Sequence, residues 1–201
     1  MKSLTKKRYK DLDITNLVIL SQEDDYNALE ELIKREQKNV YASFYYLDPN
    51  RVDHLDLTQE ALLRMSKNIK SLKNPKIFKS WLSQIVSNLF YDQLRKKQRN
   101  PNVVSIDTNW GDENTSCPSH DIKDSKAQPE ECTISKELND VIREMIYKLP
   151  EQFKFAIIMR EIQGLSYEEI AKVTHTSVGT VKSRIARARN KLQESLKPYL
   201  I

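Results

Sequence analysis

The segment LSYEEI at residues 165–170 requires a helix to begin inside it. Ser166 is a preferred N-cap residue, and Glu169 three positions later completes the Ser-x-x-Glu pattern of a capping box. Leu165 and Ile170 occupy the two positions of a hydrophobic staple, which fixes the angle at which the chain enters a helix. These signals agree, and they predict a helix whose first turn follows Ser166.

A second helix is predicted after a very short break. The first helix is expected to end near Thr174, and Ser177 is placed to cap the next one. His175 stands at the turn position that glycine often occupies, and histidine tolerates a positive φ better than most residues. Two helices joined by three residues predict a helix-turn-helix motif.

The helix after Ser177 has an apolar face and a cationic face. At about 100° per residue, one sector collects Val178, Val181, Ile185, Ala188, Leu192 and Leu196. The opposite sector and its flanks hold the candidate DNA-binding residues Thr180, Lys182, Ser183, Arg184, Ala186, Arg187 and Asn190. Small residues allow a close approach to a major groove, and flanking cations suit phosphates. An ordinary solvated helix would interleave acids, so DNA binding is the favoured interpretation.

The rest of the chain also predicts helices. Only three of the 201 residues are glycine, so no Gly-rich phosphate-binding loop can be written. Apolar residues recur at helical spacing over 26–47, 56–72, 77–99 and 138–149, and Asp56 with Gln59 has the form of a helix N-cap and its partner. The predicted fold class is all-α.

Two small helical domains are expected, joined by a linker. Residues 100–134 lose the helical periodicity and gain proline, serine, asparagine and acidic residues, which is typical of a flexible acidic linker. The predicted domains therefore cover residues 1–99 and 135–201, and the second contains the helix-turn-helix.

Charge is strongly segregated along the chain, although the net charge is only +5. Acids exceed cations by eight over residues 11–63, and cations exceed acids by nine over residues 64–99. The basic part contains a three-residue ladder, Arg64, Lys67, Lys70, Lys73, Lys76 and Lys79, and then Arg95. Aromatic side chains stand among these cations, a mixture typical of single-stranded nucleic-acid binding. The spacing of Trp81 and Phe90 fits a buried helix face, so core packing is favoured for those two rings.

Targeting and metal signals are weak. The sequence has no apolar run long enough for a signal peptide or a spanning helix, which predicts a cytoplasmic protein without membrane insertion. Cys117, His120 and Cys132 offer three potential metal ligands in the linker, whereas structural sites usually close with four. No metal or cofactor is therefore expected.

Three segments carry a resemblance to a known family. They are DLTQEALLRM at 56–65, FKSWLSQIVSNLFYDQLRKKQR at 78–99 and LPEQFKFAIIMREIQGLSYEEIAKVTHTSVGTVKSRIARARNKL at 149–192. Their order and spacing resemble regions 2 and 4 of bacterial sigma-70 family RNA polymerase sigma factors of the small extracytoplasmic-function (ECF) type. The resemblance implies a protein that is not an enzyme, binds core RNA polymerase, directs it to promoters and helps to melt the DNA.

The resemblance also implies roles for individual residues. The helix with the D-x-x-Q-E motif, which docks on the clamp coiled coil of the polymerase, points to Asp56, Gln59, Glu60 and Leu62. The segment that opens the −10 element and holds a base of the melted non-template strand points to Leu72, Lys73, Asn74, Lys76, Phe78, Asn88 and Arg95. Recognition of the −35 duplex falls on Lys182, Ser183, Ala186 and Arg187. A contact with the flap of the polymerase and an anti-sigma partner are implied as well.

Two other classes of DNA-binding protein remain open. A helix-turn-helix activator or repressor would act as a dimer on duplex DNA, but it leaves the lysine ladder and the D-x-x-Q-E helix unexplained. A serine recombinase would need a nucleophile and an arginine set on a mixed sheet, which the all-α prediction disfavours.

Overall fold

The computed structural model describes residues 9–99 and 139–199, and these residues fold into helices without a strand among them. The α-helices are α1 (Ile14–Gln22), α2 (Tyr26–Leu47), α3 (His54–Asn68), α4 (Phe78–Arg99), α5 (139–147), α6 (Glu151–Glu161), α7 (Tyr167–Thr174) and α8 (Val178–Leu196). Short 3₁₀ turns occupy Ile69–Ser71, Pro75–Ile77 and Lys197–Tyr199. The all-α prediction is confirmed.

The N-terminal half is built from α1 to α4. Asp13 caps α1 by accepting a hydrogen bond from the Asn16 amide at 2.9 Å, and Asp25 caps α2 through the amides of Asn27 and Ala28. The apolar faces meet in a core whose fully buried members include Phe44, Leu17, Leu32, Met65, Phe78 and Leu89. This core gives the outward faces of α3 and α4 a rigid support.

The predicted start of α3 at Asp56 is wrong, because the helix begins at His54 and Asp56 lies in its first turn. The preceding residue, Asp53, does not cap the helix through its side chain. Arg51 donates to the Asp53 carboxylate at 2.7 Å instead, and this hydrogen bond lowers the pKa of Asp53. His54 is buried, and its Nε2 lies 2.7 Å from the Asp48 carbonyl oxygen.

The C-terminal half contains α5 to α8. Gly164 follows α6 with a φ of 69°, the left-handed conformation that favours glycine after a helix. Leu165, Ile170 and Ile185 are almost fully buried in the core of this half. They pack α7 and α8 against α6 and so fix the orientation of the helix-turn-helix.

Several sequence predictions fall outside the described residues. These are the linker over 100–134, including Cys117, His120 and Cys132, and the two domain boundaries that flank it. Within residues 9–99 and 139–199, no helix combines the length and the apolarity that a membrane crossing requires.

Candidate nucleic-acid interface

The turn between α7 and α8 has the geometry of a helix-turn-helix. Ser166 accepts a hydrogen bond from the Glu169 amide at 3.2 Å, and the Glu169 carboxylate accepts one from the Ser166 amide at 2.8 Å, so the predicted capping box is present. His175 adopts the left-handed conformation with a φ of 52°. Ser177 then caps α8 by accepting a hydrogen bond from the Thr180 amide at 3.0 Å. These local bonds fix the start of α8.

The outward face of α8 carries the residues that the helical wheel selected. Lys182, Ser183, Ala186, Arg187 and Asn190 are exposed, while Thr180 and Arg184 are half-buried. Val181, Ile185 and Ala188 are buried on the opposite side. The wheel therefore predicted the orientation of the helix correctly, and the face presents small side chains between cations.

The cations of this face are available to phosphates. In the described part of the chain, no carboxylate lies within ion-pair distance of Lys182, Arg184 or Arg187. Arg189, by contrast, is paired with Glu161 at 2.6 Å. The Lys182 ammonium lies 5.8 Å from the ring centroid of Tyr167 on α7, an attractive cation–π distance. In the described part of the chain, the positive charge of Lys182, Arg184 and Arg187 is thus not compensated by a carboxylate.

The loop between α3 and α4 is a short exposed segment held at both ends. Leu72 and Phe78 are 5% and 1% exposed, so their side chains anchor the loop in the core and are not exposed to DNA. Lys73, Asn74 and Lys76 are exposed between them. The five members of the predicted −10 set in this segment therefore divide into two buried anchors and three outward side chains.

The side chain of Gln22 on α1 hydrogen-bonds to the backbone of the same loop. Its side-chain amide donates to the carbonyl oxygens of Ile69 and Leu72 at 2.8 and 2.7 Å. Asn74 accepts a hydrogen bond from the Lys76 amide at 3.1 Å, which shapes the tip. Because the loop is already restrained, its polar groups lose little conformational entropy when they bind a ligand.

The outer face of α4 continues this surface. Asn88 is exposed, and its side-chain carbonyl oxygen accepts a hydrogen bond from the amide of Gln84 at 2.9 Å. Arg95 is also exposed and lies 3.8 Å from Asp92, a loose contact in water. Phe90 is buried and Trp81 half-buried, in agreement with the core interpretation of these two rings.

A different kind of surface covers the outer side of α3. Asp56 and Gln59 are exposed, Glu60 is half-buried and paired with Arg64 at 2.6 Å, and Leu62 is only 8% exposed. The Leu62 side chain therefore belongs to the core, because the helix turns it inward. Leu55 and Leu63 are 63% and 52% exposed and flank Gln59 at intervals of four residues. We call Leu55, Asp56, Gln59, Glu60 and Leu63 the α3 face.

The two halves of the chain contact each other. Helix α6 packs against α2, and α7 packs against α4. The Gln163 amide nitrogen donates to the Ser43 hydroxyl at 3.0 Å, and the Ser83 hydroxyl donates to the Gln163 side-chain oxygen. Beside them, Phe155 stacks on Tyr91 with 4.9 Å between ring centroids.

Sequence reasoning missed three groups of residues. Leu55 and Leu63 could have been found by continuing the helical wheel of α3 from its true start. Gln22 offers only an amide near the end of a helix, which has no distinctive pattern. Gln163 joins residues 120 and 80 positions away, and no local signal marks such a contact.

Comparison with known proteins identifies both halves. The family described as Sigma-70 region 2 matches residues 32–100, and the family described as Sigma-70, region 4 matches residues 139–192. The ECF RNA polymerase sigma-E factor of Haemophilus influenzae is 33% identical, over 92% of this chain and 95% of its own length. The chain belongs to the ECF sigma factors of the sigma-70 family. It directs promoter-specific transcription, and the activator or repressor alternative is not favoured.

Other similar proteins are also sigma factors. The ECF RNA polymerase sigma factor SigW of Bacillus subtilis is 30% identical over 98% of this chain and 99% of its own length. A solved structure of the sigma factor RpoE of Bartonella quintana, in complex with the anti-sigma factor NepR, superposes with a TM-score of 0.60 and 26% identity. The superposition covers 84% of this chain and 96% of the RpoE chain.

A second solved structure supports the fold of the sigma factor. CnrH, in complex with the cytosolic domain of CnrY, superposes with a TM-score of 0.61 at 20% identity and covers 92% of this chain and 97% of that one. The family consists of regulatory proteins that recognise DNA and are not enzymes.

Proposed function

We propose that this sigma factor joins core RNA polymerase through the α3 face and reads a promoter through two separate surfaces. Helix α8 reads the −35 element as duplex, and the loop between α3 and α4 together with α4 opens the −10 element. Catalysis of RNA synthesis belongs to the polymerase, and the sigma factor acts in the cytoplasm. The observation that carries the proposal is the uncompensated cationic face of α8 on a capped helix-turn-helix.

Reconstitution tests the proposal as a whole. Purified sigma factor and core RNA polymerase are combined on a library of promoter-like DNA, and transcripts are mapped. We expect transcripts that start at one set of sites sharing −10 and −35 sequences. Absence of both core association and promoter-specific transcripts would refute the proposal.

The −35 assignment rests on the exposure and chemistry of α8. Ser183 and Ala186 are small and exposed at the centre of the face, so the helix axis can approach base edges closely. Arg187 is exposed and has no acidic partner in the described part of the chain, which leaves its guanidinium for base or phosphate contacts. The Ser183 hydroxyl donates to the Thr180 carbonyl at 2.9 Å and retains its lone pairs for a base donor.

Replacing Arg187 with alanine is expected to weaken recognition of the −35 element by about 1–3 kcal/mol. The side chain is exposed, so stability and core binding should be unchanged. The measurement is holoenzyme binding to promoter duplex and to the same duplex with a scrambled −35 element. Lys191→Ala, another exposed cation of α8, is the matched control. Equal losses on both duplexes would contradict a base-reading role.

The −10 assignment rests on the anchored loop and on α4. Lys73, Asn74 and Lys76 offer cations and an amide on a loop whose two ends are buried. Asn88 lies on the adjoining helix with a donor and an acceptor suited to the edge of an unpaired base. Leu72 and Phe78 act here as positioning residues.

Replacing Asn88 with alanine is expected to impair opening of the −10 element more than initial duplex binding. Loss of one hydrogen bond to an unpaired base is expected to cost about 0.5–1.5 kcal/mol, because Asn88 is exposed. Permanganate reactivity of unpaired thymines reports opening, and filter binding reports the initial complex. Gln93→Ala serves as the control because Gln93 is a half-buried residue of the same helix, whereas Gln84 is unsuitable because it donates to the Asn88 side chain. A permanganate pattern identical to wild type would count against the assignment.

Protein partners are proposed from the remaining surfaces and from relatives. The α3 face combines two exposed leucines with acidic and amide groups, which suits a helical protein partner such as the polymerase clamp coiled coil. A contact with the polymerase flap is expected from the C-terminal half. An anti-sigma factor is proposed as a further partner, because the related RpoE is solved with one.

A further inference from the structure

One arginine fastens the segment before α1 to α2. The Arg35 guanidinium donates to the carbonyl oxygens of Tyr9 and Lys10, both at 2.8 Å, and to that of Leu12 at 2.6 Å. Its Nε donates to the Glu31 carboxylate, one turn earlier on α2, at 3.0 Å. A single planar group therefore holds three carbonyl groups of a short segment. We call Arg35, Tyr9, Lys10 and Leu12 the Arg35 anchor.

The Tyr9 side chain extends from this anchor toward the beginning of α2. Tyr9 is only 2% exposed, and its hydroxyl donates to the Asp25 carboxylate at 2.8 Å. Asp25 is the N-cap of α2 and precedes Arg35 by ten residues, which is about 15 Å along a helix at 1.5 Å per residue. Tyr9 is therefore fixed at two separate points of α2, through its backbone and through its ring.

The beginning of α2 adjoins the loop between α3 and α4. Asp24, the residue before the α2 cap, is paired with Lys70 at 2.6 Å. At the end of α1, Gln22 donates to the carbonyl oxygens of Ile69 and Leu72. The turn between α1 and α2 thus supports the loop that is assigned to the −10 element. The Tyr9 hydroxyl binds the residue next to Asp24 and so lies beside this support.

The chain immediately before Tyr9 is cationic. Residues 1–8, with the sequence MKSLTKKR, contain four cations, Lys2, Lys6, Lys7 and Arg8, and no acidic residue. Lys10 of the anchor is exposed and adds a fifth positive charge. Eight residues span at most about 28 Å, roughly the length of eight base pairs of duplex. This segment is therefore long enough to reach DNA phosphates that lie beside the −10 element.

The acidic residues around the anchor already have cationic partners among the described residues. Glu31 is paired with Arg35 at 3.0 Å, and Glu30 is paired with Lys34 at 2.5 Å. Asp24 is paired with Lys70, as described above. These carboxylates therefore do not require the cations of residues 1–8 for neutralisation. Four cations without an acid among them match a polyanion, and the nearest proposed polyanion is the promoter at the loop between α3 and α4.

We propose that residues 1–8 bind phosphates of promoter DNA beside the −10 element, and that the Arg35 anchor holds them near that site. The inference rests on the −10 assignment proposed above. Contacts with phosphates strengthen binding without reading the base sequence, and each one makes the affinity more dependent on salt. The anchor raises the effective concentration of these cations at the DNA, because it fixes the residue to which they are attached.

Neutralisation of this segment tests the inference. Lys6→Gln, Lys7→Gln and Arg8→Gln are combined in the full chain, and holoenzyme binding to promoter DNA is measured over a series of salt concentrations. We expect the slope of log affinity against log salt concentration to fall by about two to three, because each phosphate contact contributes about 0.9. The matched control combines Lys6→Arg, Lys7→Arg and Arg8→Lys, which retains the charge and should keep the wild-type slope.

The outcomes separate the inference from the proposed function. An unchanged slope in the neutralised variant would overturn the inference, and so would an equal loss of slope in the control that retains the charge. A loss of affinity for core polymerase without a change in slope would also overturn it, because the segment would then bind protein. A wild-type chain that gives no promoter-specific transcript would instead overturn the proposed function.

Arg35→Lys tests the anchor separately. Lysine keeps the charge, but it lacks the planar fork that donates to three carbonyl groups at once. We expect promoter affinity at a fixed salt concentration to fall about threefold or more. Added to the neutralised variant, Arg35→Lys should cause no further fall, because the anchor acts through the cations of residues 1–8. Wild-type affinity in Arg35→Lys, or losses that add in the combined variant, would overturn the role of the anchor.

A cleavage experiment locates the segment directly. Thr5→Cys is combined with Cys117→Ser and Cys132→Ser in the full chain, and an iron chelate that generates hydroxyl radicals is attached to the new cysteine. In the complex with core polymerase and promoter DNA, we expect strand cleavage beside the −10 element. The chain without cysteines, treated with the same reagent, gives the background. DNA cleavage at the background level, or cleavage confined to the −35 element, would overturn the inference.

Discussion

Leu63→Asp is expected to weaken binding of the sigma factor to core RNA polymerase by about 2 kcal/mol or more, roughly a 30-fold loss. Leu63 is 52% exposed on the α3 face, one helical turn from Gln59 and two from Leu55. An exposed leucine beside polar groups is the usual centre of a protein contact, and a carboxylate placed there must lose its hydration on binding. Fluorescence anisotropy of labelled sigma factor titrated with core polymerase gives the affinity.

The control for this prediction introduces the same charge elsewhere. Tyr26→Asp places a carboxylate at the exposed first residue of α2, where it favours the helix and lies away from the α3 face. Core affinity should remain that of wild type. Neither substitution removes a buried side chain, so urea unfolding of both variants should give a free energy of unfolding within about 0.5 kcal/mol of wild type. Equal affinities for Leu63→Asp and wild type would show that the polymerase docks elsewhere.

The prediction concerns Leu63 and not the adjacent Leu62, because only Leu63 is exposed. The family motif pointed to Leu62, but Leu62 is 8% exposed and contributes to the core of the N-terminal half. Adjacent residues on a helix differ by about 100° in direction, and here Leu62 faces inward while Leu63 faces outward. Helical spacing places Leu62 on the same face as Met65 and Ile69, and all three are buried, whereas the family motif selects Leu62 without regard to that face.

Local chemistry explains which features the sequence predicted. The capping box at Ser166 and Glu169, the left-handed His175 and the cap at Ser177 depend on neighbours within three residues, and all three are present. The start of α3 was predicted wrongly because Arg51 donates to the Asp53 carboxylate and His54 Nε2 lies 2.7 Å from the Asp48 carbonyl oxygen, contacts that hold His54 as the first residue of the helix. A capping pattern at Asp56 does not reveal that these earlier residues already begin the helix.

Non-local contacts were out of reach of sequence reasoning. Leu72 and Phe78 read as members of a DNA-binding segment, yet both are buried anchors of the loop that separates them. Gln163 follows the end of α6 and has no role in the sequence analysis, yet it bridges two helices of the other half. Such roles depend on how distant helices pack together, which no short-range pattern encodes.

Ile185→Ala is expected to destabilise the C-terminal half by about 2–5 kcal/mol, the usual range for truncating a fully buried isoleucine. Ile185 is 1% exposed and belongs to the buried cluster that includes Leu165 and Ile170. The cavity left behind would loosen α8 from α7, so binding to promoter and to random DNA should fall together. Hydrogen exchange of the amides of α7 and α8 in the full chain reports the local stability.

Arg187→Ala is the matched control, because it removes a side chain two positions further along the same helix. Arg187 is exposed on the opposite face, so its replacement should change stability by less than about 0.5 kcal/mol. The two variants therefore separate support of the helix from reading of the DNA. If Arg187→Ala accelerated exchange as much as Ile185→Ala, or if Ile185→Ala left exchange unchanged, the proposed orientation of α8 would be incorrect.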